Sequence, residues 1–180
     1  MENKLSPVQK ITVYAVGAAL FVAVGCLIPI PIPNTKAHVD LGYAIMMIFA
    51  YLFGPVAGLL VGGLGRFLED MLLFGSIGSP GWLIASICVG FLTGFFSNLM
   101  KKHEKSVKHM VISLGGILLA NAVFLILFAP FISSIWNGVP YVAKLPSGVS
   151  AFITNSIAML AVGFPVAKKL EKHVYKIFKK

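Results

Sequence analysis

Residues 41–65 read LGYAIMMIFAYLFGPVAGLLVGGLG and are followed at once by Arg66, Glu69 and Asp70. The run carries no charge and could be one long membrane span or two helices broken at Gly54 and Pro55. Proline removes a backbone donor and crowds the preceding turn, so a helix ladder does not pass it freely. The other uncharged apolar runs cover 9–28, 81–100, 110–135 and 148–167. A span needs about 20 predominantly apolar residues, and these runs meet that length.

The positions of the lysines choose between five and six spans. One cluster is Lys101, Lys102, Lys105 and Lys108; a second is Lys168, Lys169, Lys172, Lys176, Lys179 and Lys180; Lys4 and Lys10 precede the first run. Splitting 41–65 puts all three clusters on one side and leaves Lys36 and Lys144 on the other. Lys and Arg collect in cytoplasmic segments, so the split is favoured, with both termini cytoplasmic. The expectation is a single all-α integral membrane domain over 1–180. Its six transmembrane helices fall at about 9–28, 39–53, 54–73, 81–100, 108–131 and 148–169. The second is short, about 22 Å at 1.5 Å per residue, so it must be shielded by its neighbours.

Composition agrees. The 180 residues are 58% hydrophobic and 12% charged, with a mean hydropathy of +0.90. An average soluble domain has about 25% charged residues, so this chain cannot cover a water-exposed surface. The net charge of +9 comes from 15 Lys and Arg against 6 Asp and Glu. In this context it reads as topology rather than nucleic-acid binding. Cys26 and Cys88 each sit in an apolar run, which argues against a disulfide framework or metal site. No HExxH, GxSxG or P-loop is present, so the sequence offers no catalytic or ATP-hydrolysing motif of those kinds. The basic, amphipathic 168–180 reads as an end lying on the anionic inner leaflet.

Polar groups converge on the outer side. Arg66 can pair with Glu69 at i,i+3 and with Asp70 at i,i+4. Charges within a span cost roughly 2.5–3.5 kcal/mol each and so tend to face a cavity and find partners. The expected outer loops are 29–38, which holds the stiff PIPIPN at 29–34, then 74–80 and the long 131–147. Asn34, His38 and Asp40 lie in or after the first loop. Trp82 and Ser86 open the fourth helix, Trp136 and Tyr141 fall in the third loop, and Asn121 and Asn155 lie on the last two helices. Aromatic faces beside amides and charges suit a flat heteroaromatic ligand with polar edges. Substrate binding is therefore assigned to Asn34, His38, Asp40, Arg66, Glu69, Asp70, Trp82, Ser86, Asn121, Trp136, Tyr141 and Asn155. The small residues Ala15, Ala19 and Ala23 form a stripe suited either to internal packing or to a partner helix. Gly54, Gly58, Gly62 and Gly65 form a second, which reads as internal packing.

Particular motifs carry a family likeness: GAAL at 17–20, IPIPN at 30–34, LFGPVAG at 52–58, GGLGR at 62–66, Asp70, GW at 81–82 and Gly90. With the Ala15, Ala19 and Ala23 stripe, they make the chain resemble the substrate-binding S components of energy-coupling factor (ECF) transporters, nearest the riboflavin-type and uncharacterised relatives. The likeness covers about the first 100 residues; beyond them only hydropathy and length match. Where the family often has His, this chain has Arg66. The resemblance implies a subunit of an ABC-type importer in the bacterial plasma membrane. It would capture a vitamin or precursor from outside and turn it inward by toppling in the membrane. The implied partners are a transmembrane coupling subunit, docked on Ala15, Ala19 and Ala23, and two ABC-type ATPases. ATP is used by those ATPases and no cofactor belongs to this chain. The first expected ligand is a hydroxymethylpyrimidine- or pyridoxine-like compound, then riboflavin. A membrane scaffold without a ligand and a solitary secondary transporter are the alternatives.

Overall fold

The structure is a computed structural model that describes residues 5–27, 30–31, 38–103 and 106–177. Its elements in order are α1 (Pro7–Leu27), a two-residue antiparallel pairing of β1 (Ile30–Pro31) with β2 (His38–Val39), α2 (Gly42–Phe53), α3 (Pro55–Phe74) and α4 (Pro80–Lys102). A fifth rod joins α5 (Val107–Asn121), a π-helical stretch (Ala122–Phe128) and α6 (Ala129–Asn137). A sixth joins α7 (Tyr141–Ile157), a second π-helical stretch (Ala158–Gly163) and α8 (Phe164–Ile177). Four of the six rods are long and apolar enough to cross a membrane; α2 is shorter, and α3 carries Arg66, Glu69 and Asp70.

The chain breaks at Gly54 and Pro55, as the proline chemistry requires. Gly54 takes φ 94°, a conformation that favours glycine, and Pro55 begins α3 where a missing N–H costs nothing. The rods alternate in direction. One buried cluster joins Leu5 and Tyr14 near the start of the chain, Tyr51 and Phe53 at the end of α2, Ala57 at the start of α3, Met100 at the end of α4 and Ala167 in α8. Lys10, Lys101, Lys102, Lys108 and Lys168 therefore share this end of the molecule. A second cluster, with Phe21, Tyr43, Met46, Ala85, Leu125 and Ala129, lies toward the other end.

The short α2 is the centre of the bundle. Nine of its twelve residues are buried, and it packs on α1, α3, α4, α8 and the second π-helical stretch. Its C-terminal carbonyls are met by a side chain: Lys101 Nζ donates to Tyr51 O and to Leu52 O. Lys101 also lies 4.4 Å from the centre of the Tyr51 ring and 3.8 Å from Glu171 Oε1. The Tyr51 hydroxyl donates to Glu171 Oε2 at 2.9 Å, which fastens α8 to α2.

The region 131–147 differs from the expected loop. Only Gly138, Val139 and Pro140 interrupt the helices, because Gly138 adopts a left-handed φ of 64° that ends α6 and Pro140 starts α7. Each π-helical stretch ends two residues before a proline, Pro130 or Pro165. The wider turn lets the helix pass a residue that cannot donate in the ordinary ladder. Pro146, inside α7, is accommodated without a break.

The Gly54, Gly58, Gly62 and Gly65 stripe is internal. A side chain at Gly58 would run into the Gly90 carbonyl and one at Gly90 into that of Gly58, while a Cβ on Gly94 would stand 2.5 Å from Pro55 Cα. Thus α3 and α4 touch backbone to backbone. Gly90→Leu should destabilise the detergent-purified protein by at least about 1–3 kcal/mol. Gly115 faces open space on α5, so Gly115→Ala should instead stabilise it by about 0.5–1 kcal/mol. Thermal unfolding of the two variants checks the contrast.

Candidate functional site

At the end of the bundle away from the lysine clusters, a cavity of about 340 Å³ opens among α3, α4, α6, α7 and the start of α2. Its lining follows helical periodicity. Arg66, Asp70 and Phe74 repeat every four residues on α3; Ser133 and Asn137 do so on α6; Lys144, Ser147, Ala151 and Asn155 mark one face of α7. Gly78, Ser79 and Trp82 contribute from the turn into α4, with Asp40 and Tyr43 from the start of α2.

The inner wall is built on Arg66. Its guanidinium lies 2.7 Å from Asp70 Oδ1, 3.3 Å from Glu69 Oε2 and 3.5 Å from Asp40 Oδ2. All four side chains are largely withdrawn from solvent: Arg66 is 15% exposed and the carboxylates are at most 4%. Asp40 also accepts the Gly42 N–H at 2.8 Å through Oδ1, which satisfies a donor at the start of α2. One side chain thus joins the exit of the β-pairing, the start of α2 and the middle of α3.

The opposite walls are fixed by small polar groups. Ser79, at the N-cap of α4, meets Ser133 Oγ at 2.7 Å, and the Asn137 amide donates to Ser133 O at 2.8 Å. Ser147 Oγ donates to Lys144 O at 2.7 Å. Asn155 is 4% exposed, and its carbonyl oxygen accepts from Thr154 Oγ1 at 3.4 Å.

Of the residues singled out from sequence, Asp40, Arg66, Asp70, Trp82 and Asn155 line the cavity together. Glu69 stands behind them as a partner of Arg66. Ser86 is buried and donates to Gly62 O at 2.9 Å, a bond between α4 and α3. Asn121 is buried deeper, with its amide 3.2 Å from Met159 Sδ. Trp136 is 64% exposed on α6, and the Tyr141 hydroxyl lies 3.5 Å from Ile126 O. His38 is in β2, but its side chain and the whole of Asn34 lie outside the described residues. The cavity adds Tyr43, Phe74, Ser79, Ser133, Asn137, Lys144 and Ser147 to the set. Reading 131–147 as a loop concealed most of these. The four-residue repeat from Ser133 and the stripe from Lys144 to Asn155 were the signals that could have found them.

On α1, Gly17, Ala18, Phe21 and Gly25 turn inward, whereas Ala15, Ala19 and Ala23 lie exposed on the outer face.

The family profile described as "ECF-type riboflavin transporter, S component" matches residues 5–172. The chain belongs to this family. It is a bacterial membrane protein and the substrate-binding type of subunit of an ECF importer. A UPF0397 protein of Clostridium perfringens is 32% identical over 166 residues, covering 90% of this chain and 88% of that protein. One of Lactococcus lactis subsp. cremoris is 30% identical over 89% of this chain and 88% of its own length. In fold, the chain is similar to the S component for biotin from an ECF-type ABC transporter. The TM-score is 0.69 at 22% identity, covering 93% of this chain and 95% of that one. A second S component of a bacterial ECF transporter gives 0.64 at 20% identity, with 97% and 100% covered.

Removing the hub's cation leaves three carboxylates buried without it. Arg66→Met should therefore cost about 3–5 kcal/mol of stability. Arg66→Lys should recover only part, since an ammonium lacks the planar fork that meets several carboxylates at once. Thermal unfolding in detergent reads both values, and an unchanged midpoint for Arg66→Met would contradict the hub.

Proposed function

We propose that this chain captures a small vitamin or vitamin precursor in the cavity among α3, α4, α6 and α7 and delivers it inward as part of an ECF complex. The observation that carries the reading is the cavity itself. It combines the aromatic residues Trp82, Phe74 and Tyr43 with Asp40, Asp70 and Asn155, and it lies at the end opposite the lysine clusters. The lysine clusters mark the cytoplasmic side, so the cavity opens outward. Its volume of about 340 Å³ is at the small end of ligand sites. That favours a single heteroaromatic ring of the hydroxymethylpyrimidine or pyridoxine kind over riboflavin, with its three fused rings and polyol tail.

Delivery rests on partners. The exposed Ala15, Ala19 and Ala23 present a flat stripe along α1 on which another transmembrane helix can approach closely. This is the docking face for the coupling subunit. The two ATPases of the complex use ATP, and the loaded subunit topples to present its ligand to the cytoplasm.

A thermal-shift panel of B vitamins and their precursors, run on the detergent-purified chain, tests capture. A ligand at 100 times its dissociation constant adds about 2.7 kcal/mol of stability. The expected result is one clear shift that Trp82→Ala and Asn155→Ala each diminish; a panel without any shift would sink the reading. Docking is tested separately with Ala19→Trp, whose bulk should abolish co-purification with the coupling subunit while the ligand-induced shift is kept. Unimpaired co-purification would remove Ala19 from the interface.

A further inference from the structure

A second, apolar space lies toward the lysine-rich end of the bundle. Helices α1 and α8 each pack on α2 and leave between them a groove of about 390 Å³. Val16 and Leu20 wall it on α1, Phe49 and Leu52 form its floor on α2, and Leu170 and Val174 wall it on α8. The one polar residue of its lining is Thr12, whose hydroxyl already donates to Val8 O at 3.0 Å. Val16, Leu20 and Leu170 are exposed along its rim, so the groove opens toward the bilayer. From Thr12 to Leu20 the α1 wall rises about 12 Å, close to the roughly 15 Å that one leaflet contributes to a hydrocarbon core.

Charge gathers at its cytoplasmic mouth. Lys169, His173 and Lys176 stand at i, i+4 and i+7 on α8, an exposed row one residue before Leu170 and Val174 at its first two positions. On the facing wall, Lys10 precedes Val13 by three residues. Among the described residues, Glu171 is the only carboxylate at this end, and Lys101 and Tyr51 hold it. Lys169 and Lys176 have no ion pair among the described residues. An apolar channel of leaflet depth thus ends at cations that the described chain leaves uncompensated.

We infer that this groove binds one anionic phospholipid of the inner leaflet, with an acyl chain laid along α2 between α1 and α8 and its headgroup at Lys169, His173 and Lys176. The site is separate from the capture cavity and does not rest on that reading. Water finds no hydrogen-bonding partner in such a lining, and leaving the space empty would forfeit dispersion contacts along three helices. An acyl chain fills it at no polar cost. The lysines reach the headgroup level while their stems cover apolar surface, and a phosphate there supplies the missing negative charge.

The test is native mass spectrometry of the full, detergent-purified chain titrated with lipids. The probes are dioleoylphosphatidylglycerol, dioleoylphosphatidylcholine with the same chains, and inorganic phosphate alone. One retained phosphatidylglycerol is expected, bound at least about tenfold more tightly than phosphatidylcholine, given what each lysine near an anionic headgroup contributes. Inorganic phosphate should not compete at millimolar concentration, because the acyl chain carries much of the binding. Val16→Trp and Leu170→Trp fill the groove from opposite walls at exposed positions, so both should keep the parent's thermal midpoint and lose the retained lipid. Lys169→Gln combined with Lys176→Gln should keep lipid binding and bring the two lipids to within about threefold of each other, since the charge contribution is removed. Equal binding of the two lipids by the parent would overturn the anionic selection. Competition by inorganic phosphate would reduce the site to an anion patch without the groove. Lipid retention unchanged in both tryptophan variants would overturn the groove as its site. If those same variants instead lost co-purification with the coupling subunit, the groove would belong to a helix of that subunit.

Discussion

One guanidinium holding three carboxylates is the constraint on which the rest of this structure depends. Asp40 comes from the segment after the β-pairing, whereas Glu69 and Asp70 come from α3, so Arg66 ties the approach to α2 onto the next helix. Buried charges at membrane depth are costly even when paired, because desolvation offsets much of the Coulomb attraction. Among the described residues, the ion pairs here bring three carboxylates to one guanidinium. Such a group is tolerable only beside a polar space, and Arg66, Asp40 and Asp70 border the cavity. The charge cluster and the cavity are two sides of one electrostatic requirement.

The close packing of α3 on α4 serves the same end. Glycines at positions 58, 62, 90 and 94 bring the two backbones together. Ser86 donates across the seam to Gly62 O, one turn before Arg66. In lipid, where no hydrophobic force drives helices together, close approach and interhelical hydrogen bonds provide the association. This seam fixes the depth of Trp82 on α4 relative to Arg66 and Asp70 on α3, and so sets the distance between the aromatic and charged walls.

The sequence showed the architecture clearly because two strong signals agreed. The lysine clusters require an even number of crossings, and Pro55 supplies the break that makes it even. The inner wall was legible for a similar reason: a guanidinium and two carboxylates within five residues of an apolar helix have few places to go. The α6 and α7 walls were not legible. Pro130, Gly138, Pro140 and Pro146 crowd into a short stretch and read as a loop, yet a π-helical stretch absorbs Pro130 and a three-residue turn uses Gly138 and Pro140. Once that region is helical, Ser133 and Asn137 share a face, and Lys144, Ser147 and Asn155 share another. The roles of Ser86 and Asn121 were hidden by a different cause. Helical depth can be counted from sequence, but the direction in which a side chain points within a six-rod bundle depends on rotations set by packing.

The short α2 has the most demanding position, and its solution explains why polar side chains sit at both ends of the molecule. Twelve residues span about 18 Å, well short of a hydrocarbon core of roughly 30 Å. The first N–H groups and last carbonyls of α2 therefore end at depths where water is scarce, and each unsatisfied group there is expensive. Asp40 accepts from Gly42 at one end, and Lys101 donates to the carbonyls of Tyr51 and Leu52 at the other. The signs suit the helix dipole, with an anion at its positive start and a cation at its negative finish. Asp40 is in turn held by Arg66 and lines the cavity, while Lys101 approaches Glu171 on α8. The central helix is thus gripped from one side by the polar wall of the cavity and from the other by the lysine-rich end. A change in the company Asp40 keeps at the cavity acts directly on the first turn of the helix whose last turn fastens α8.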